Sequence, residues 1–484
     1  MSIKKNWTLT TALIVFCSFT STVYGQEIEI RAKGQWIIHT FDEMTMSLDY
    51  CYSGEEYPSH LISNIPQISS VLDIGADGDL DVILPILRGY HSGLDPRMPF
   101  FVFENTGDEL VFNEALRESL LPMPGAGFKY VLELANGTNA LLAAMGSTQS
   151  HCGDTSVPWY HGFLSITDIA NMEDVTEDTI PRLPMSAVNG RFNTVDLHAL
   201  AVGDLNHDGL DDILVGDRVV YEYDDNYQPY ALIQQSDSSL EIHSYDLLRD
   251  FGDVWLDPDI SDGRGNYLTA FHLADFDQDG MDDLVVGWSN GDAFSRVFWG
   301  NESAEVTLDI STRLSPSVYG TDNQMHINQW SFDYDGDKDL DLLVQYLPHD
   351  PYYGGQYLHL YELRGREFVD VTDKVLLDGM VFPDQFAEEF DWGEHWYVLD
   401  INNDGYEDIV GQGTDYSKPN IYIFINDGTQ FEFHEIEFDE GIPVAWGDFD
   451  QNGQIEFVSY LRNTVSNDPW RSVMQIIHHE ISGL

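Results

Sequence analysis

Residues 275–283 read Asp-Phe-Asp-Gln-Asp-Gly-Met-Asp-Asp (DFDQDGMDD), and the run Leu284-Val285-Val286 follows directly. Asp275, Asp277, Asp279 and Asp283 set oxygen side chains at positions 1, 3, 5 and 9 of a short loop, with a carbonyl available near position 7. Such hard donors suit Ca2+, which takes oxygen ligands at about 2.3–2.6 Å. An EF-hand loop begins in the same way but requires a bidentate Glu at position 12 and a helix on each side. Position 12 here is Val286. The apolar run around it, short and bounded by turn residues, has the form of a buried strand. The loop is therefore expected to be the turn of a β-hairpin.

The pattern recurs along the chain. Asp204–Asp212 (DLNHDGLDD) offers Asp204, Asn206, Asp208 and Asp212; Asp333–Asp341 (DYDGDKDLD) offers Asp333, Asp335, Asp337 and Asp341; Asp400–Asp408 (DINNDGYED) offers Asp400, Asn402, Asp404 and Asp408. Two loops depart from it. Asp73–Asp81 (DIGADGDLD) has Gly75 at position 3 and keeps Asp73, Asp77, Asp79 and Asp81, while Asp448–Glu456 (DFDQNGQIE) has Asp448, Asp450, Asn452 and Glu456. Up to six structural Ca2+ sites are expected, these two being the weakest.

From one loop start to the next the intervals are 131, 71, 58, 67 and 48 residues. The first is about twice the others, so a seventh unit belongs between Asp81 and Asp204. Ala135-Asn136-Gly137-Thr138-Asn139-Ala140, followed by Leu141-Leu142-Ala143-Ala144, keeps the turn and the apolar strand without the carboxylates. A second element, an alternating strand ending in an Asn or Gly turn and an aromatic, recurs at Phe101–Gly107, Tyr357–Phe368 and Ile421–Phe431. Units of about 50–70 residues with roughly four strands each cannot bury a face alone and close radially. The expected fold is all-β, a seven-bladed β-propeller with calcium-binding hairpin loops.

The motif D-x-[DN]-x-D-G-x-x-[DE] ahead of an apolar strand, with the N-D-G-x-x-F turn of residues 426–431, resembles the FG-GAP or VCBS repeat family, which includes the integrin alpha-subunit propellers. The resemblance covers nearly the whole chain after its first 25 residues. It implies that each calcium loop joins the first and second strands of a blade.

Eighty-three acidic residues against 22 Lys plus Arg give a formal charge of −61, which opposes binding to nucleic acid or to anionic membranes. Hydrophobic residues at 43% are enough for a packed core, so the acidity does not signal disorder. The six loops hold 25 of the acids, and metal can neutralise only part of the excess.

Lys4 and Lys5 precede the apolar stretch Ala12–Phe19, and Val23-Tyr24-Gly25 offers a cleavage point before Gln26. Residues 1–25 thus read as a secretory signal peptide, and the protein as secreted or periplasmic. No later run reaches the roughly 18 apolar residues of a membrane helix. Residues 26–484 form the expected propeller. Glu27–Ile30 and Gln35–His39 read as strand, and the last repeat is one strand short after Val473–His479. An N-terminal strand closing the last blade would leave no free sheet edge. Cys51 and Cys152 could pair in an oxidising compartment or remain separate thiols.

Propellers usually bind partners on the face opposite such turns. The residues there are His326, Asn328 and Trp330 ahead of one loop, and Trp392, Glu394, His395 and Trp396 ahead of another. Aromatic platforms with polar neighbours suit sugar rings, although Trp and His beside a strand are more often packing residues. The segment His151–His161 is a further polar and aromatic loop without zinc-motif spacing. No nucleophile elbow, phosphate loop or zincin motif occurs. The favoured expectation is a calcium-stabilised binding or adhesion module for a glycan or extracellular protein. A polysaccharide lyase or hydrolase on the same scaffold, or a purely structural secreted component, is the alternative.

Overall fold

The second strand of each repeat lies between neighbouring sheets, which is why its sequence is apolar at successive positions rather than alternating. Val82-Ile83-Leu84, Ile213-Leu214-Val215, Leu284-Val285-Val286 and Leu342-Leu343-Val344 are all buried. Innermost strands are less covered: Asn328, Gln329, Trp330 and Ser331 stay partly exposed.

The computed structural model describes residues 18–23, 26–40, 64–66, 70–74, 77–88, 100–106, 110–113, 126–145, 164–169, 173–180, 197–217, 230–244, 267–289, 295–301, 308–350, 354–376, 381–382, 393, 396–412, 420–438, 441–464 and 472–482. Their strands form seven antiparallel units. Blade 1 is Asn64–Pro66 and Ser70–Leu72, then Asp81–Arg88, Phe100–Asn105 and Leu110–Phe112. Blade 2 is Ala126–Glu133, Asn139–Met145, Leu164–Asp168 and Glu173–Asp174. Blade 3 is Leu197–Gly203, Asp212–Asp217, Tyr230–Gln234 and Leu240–Ser244. Blade 4 is Tyr267–Ala274, Asp283–Ser289, Arg296–Phe298 and Ser311–Arg313. Blade 5 is Gln324–Phe332, Asp341–Pro348, Gln356–Arg364 and Glu367–Asp370. Blade 6 is Trp396–Leu399, Asp408–Gln412, Asn420–Asn426 and Phe431–Glu437.

Blade 7 joins the two ends of the chain. Ile442–Gly447, Glu456–Thr464 and Ser472–Ser482 come from the C-terminal part, and Gln26–Thr40 pairs antiparallel with Ser472–Ser482 as the fourth strand. Its ladder slips between Ala32 and Gly34, a β-bulge that sets Lys33 apart. Ser18–Val23, inside the segment read as a leader, lies outside this strand as a fifth. A cut before Gln26 would leave the fourth strand whole.

Apolar clusters bridge the units in order. One cluster runs through blades 1, 2 and 3 (Ile83, Leu141, Ile213), and others join blades 3 and 4 (Leu214, Phe271) and blades 4 and 5 (Val285, Leu342). Leu343 with Ile409 joins blades 5 and 6, and Val410 with Phe457 joins blades 6 and 7. Val82 and Phe103 of blade 1 pack against Val444 and Val458 of blade 7, which closes the ring. The architecture is a seven-bladed β-propeller.

Candidate metal centre

In blades 1, 3, 4, 5, 6 and 7 the acidic loop links the first strand to the second, and one set of hydrogen bonds shapes it. The position-1 carboxylate accepts backbone N–H groups from the loop interior: Asp204 from Asp208 at 3.0 Å and Gly209 at 2.8 Å, Asp275 from Asp279 and Gly280 at 3.0 Å each. Position 5 then caps position 7, as where Asp208 accepts Leu210 N–H at 3.0 Å and Asp404 accepts Tyr406 N–H at 3.0 Å. Among the described residues, positions 4 and 6 have positive φ, for example His207 at 60° and Gly209 at 83°. Glycine at position 6 adopts this freely.

Position 9 plays a different part. Asp81, Asp212, Asp283, Asp341 and Asp408 are buried, and each accepts two backbone N–H groups, one from loop position 2 and one from the end of the third strand or, for Asp283, from Gly300 just after it. Burial pushes these carboxyls up, Asp81 to about 6, Asp212, Asp283 and Asp408 to about 7 and Asp341 to about 8, against the lowering effect of those hydrogen bonds. Neighbouring loop carboxylates add to the rise. A divalent cation would reverse it by favouring the ionised form.

Two loops bring their carboxylates to a focus. In Asp275, Asp277 and Asp283, and again in Asp333, Asp335 and Asp341, one oxygen of each lies within 4.8 Å of the others. Asp277 Oδ1 is buried with no hydrogen-bond partner. A buried carboxylate oxygen left unpaired is costly, and a cation on that oxygen would remove the cost. The donor set, all hard oxygens, fits Ca2+.

The loops also touch one another. Gln278 at position 4 of the blade 4 loop donates to Lys338 O in the blade 5 loop, Asn403 donates to Gly453 O, and Gln451 to Gly78 O at 3.1 Å. These bonds link the loops of blades 4 and 5, of blades 6 and 7, and of blades 7 and 1.

Inter-blade stapling was not foreseen from the sequence. Asn105, Gln234 and Asn426, all buried at third-strand ends, give their backbone N–H to the position-9 Asp, at 2.7, 2.8 and 2.6 Å. Their side-chain amides donate to a carbonyl of their own loop and to one of the preceding blade. For Asn426 these are Glu407 O at 3.2 Å and Tyr334 O at 2.7 Å, and for Gln234 Asp211 O at 2.7 Å and Glu133 O at 3.0 Å. Asn105 reaches Leu80 O and Phe449 O. The readable signal was an Asn or Gln some 20 residues after position 9.

The proposed ligand face fares differently. Trp392, Glu394 and His395 lie outside the described residues, as do Gly75, Cys51, Cys152 and residues 151–161. His326 has no exposed surface: its ring lies between Ser295 Oγ and Gln329 Oε1, each at 2.8 Å, and burial pushes its pKa down to about 3. Trp396 is 5% exposed, lies against Gly411 and packs with Phe424, so it belongs to the core between blades 5 and 6. Both are packing residues in this structure. Trp330 is partly exposed and borders the same core. Asn328 donates to Gln345 Oε1 at 2.8 Å, and Gln345 donates to Gly393 O at 2.8 Å. Gly393 N–H in turn donates to Gln356 Oε1 at 3.1 Å, so blade 5 holds Gly393 through both its carbonyl and its N–H.

Residues 400–459 match the family model described as the FG-GAP-like repeat. The matched repeat opens at Asp400, passes through blade 6 and ends inside the second strand of blade 7, so it takes in two acidic loops. No curated protein matches the chain. Among solved structures the chain is similar to the AfRom2 CNH domain (8% identity, TM-score 0.39, covering 86% of this chain and 97% of that one) and to the Dos1 propeller (8%, 0.42, 86% and 95%). Among the described residues no helix is long and apolar enough to cross a membrane.

Proposed function

We propose that this protein is a secreted, calcium-stabilised propeller that serves as a binding module for a glycan or an extracellular protein. The observation that carries the metal reading is the buried, unpaired Asp277 Oδ1 within the Asp275–Asp277–Asp283 cluster. Calcium in that loop would be held by these residues with Asp279, and equivalent sets would serve blades 3, 5 and 6. The ion supplies positive charge that fixes the hairpin turns. The ligand would lie along the first strand of blade 5, where the partly exposed Asn328 and Trp330 offer polar and aromatic contacts. A rigid loop at the end of that strand would hold this surface in shape.

A glycan array probed with calcium-loaded protein tests the binding reading, with Trp330→Ala as comparison. Selective binding that the variant weakens by tenfold or more is the expected result. No binding to any glycan, together with no protein captured from extracellular extracts, would overturn it. Depolymerisation of an arrayed polysaccharide would replace it with an enzymatic role.

A further inference from the structure

The acidic loop of blade 7 has a cation of its own. At the bulge between Ala32 and Gly34, Lys33 of the N-terminal strand turns its ammonium onto the loop, bonding Asp450 Oδ2 at 2.6 Å and Glu456 Oε1. These are positions 3 and 9 of the motif, two of its four side-chain ligand positions. The second oxygen of Glu456 is 3.1 Å from His478 Nε2, so both oxygens of the position-9 group are engaged. The lysine is only 25% exposed and Glu456 is fully buried.

Arg366 offers the contrast. Its guanidinium meets Asp277 Oδ2 at 2.5 Å and Asp279 Oδ2 at 3.3 Å in the blade 4 loop, stacks over Trp299 and is half exposed. It engages positions 3 and 5 and leaves Asp277 Oδ1 unpaired. Arg366 covers a loop that keeps an inward oxygen for an ion, whereas Lys33 engages the inner position-9 acid itself.

We infer that Lys33 is the built-in counter-ion of the blade 7 loop, so that Asp448–Glu456 keeps the shape of a calcium loop without binding calcium. This rests on the calcium reading of the other loops. An ammonium donates three hydrogen bonds, enough to bridge both carboxylates, and carries one charge, which offsets one of the two. It needs no metal from solution. The lysine also belongs to the strand that completes blade 7, so the seam between the chain's two ends is held by a covalently supplied charge. Closure of the ring is then independent of calcium, while the hairpins of blades 3 to 6 depend on it.

The test is a calorimetric calcium titration of metal-stripped full-length protein, wild type, Lys33→Ala and Asp450→Asn. Lys33→Ala is expected to bind one more equivalent than wild type. Asp450→Asn is expected to match wild type. A Lys33→Ala protein with no added equivalent, or an Asp450→Asn protein that has lost one, overturns the inference; the second arm decides if Lys33→Ala does not fold. Should none of the three bind calcium, the reading of the other loops falls. The Lys33 assignment is then judged in chelator, where Lys33→Ala should melt several degrees below wild type and an unchanged melt overturns it.

Discussion

Lys338 has a left-handed backbone, φ 80°, at loop position 6, where the five other acidic loops place glycine. Its own loop has the glycine two residues earlier, at Gly336. A side chain in this region costs on the order of 1 kcal/mol, partly offset by the greater freedom glycine has when unfolded. Lys338→Gly should therefore stabilise the protein by on the order of 0.5–1 kcal/mol, read as a higher midpoint in urea with an unchanged slope. The substitution keeps the carbonyl that accepts Gln278, and a lower midpoint would show that the lysine side chain itself is needed. The residue scale also shows what the sequence could not convey. His326 and Trp396 are a histidine and a tryptophan near a strand end, and only burial separates a ligand platform from core. Lys33 is one lysine in an amphipathic strand, and nothing around it announces a bond to Glu456 more than 400 residues away.

At the scale of elements the sequence was far more legible, because each acidic loop combines fixed side-chain chemistry with an apolar strand. The six hairpins fall between first and second strands, and the carboxylate-free Ala135–Ala140 turn occupies the same place in blade 2, closed by Gly137 N–H to Leu134 O at 2.7 Å. The links between hairpins were hidden, since an Asn ending a third strand reads simply as a turn residue. Asn426 makes such a link, and replacing it with Leu would leave Tyr334 O and Glu407 O without their donor. A buried acceptor left unpaired costs about 1–3 kcal/mol. Asn426→Leu is thus expected to destabilise by on the order of 2–4 kcal/mol. Asn420→Leu on the same strand serves as the control: this residue is partly exposed and bonds only an exposed part of Glu435. Equal losses in chemical unfolding for the two variants would remove the stapling role.

For the whole molecule the decisive quantity is charge, because a formal −61 is concentrated in part within six turns. Without metal, the position-9 carboxyls are buried among further carboxylates, which is why their pKa values rise. Folding must then either protonate them or sustain the repulsion. At millimolar calcium and a dissociation constant on the order of 0.1 mM, each occupied site contributes on the order of 1.5 kcal/mol to the folded state. Several sites together rival the roughly 5–15 kcal/mol net stability of a typical domain. Chelator should therefore lower the melting temperature substantially and added calcium should restore it, whereas magnesium, which demands tighter octahedral geometry, should restore less. The loops should not share this effect equally. Asp279→Ala removes position 5 from the blade 4 loop, whose other three carboxylates converge, while Asn452→Ala removes it from the loop in which Lys33 bonds Asp450 and Glu456. The first should cost markedly more melting temperature in calcium, and the two should converge in chelator, where no ion is left to lose. A difference that persists unchanged in chelator would place the cost in the loop's own hydrogen bonds, such as Asp279 Oδ1 to Met281 N–H at 3.1 Å, rather than in the metal.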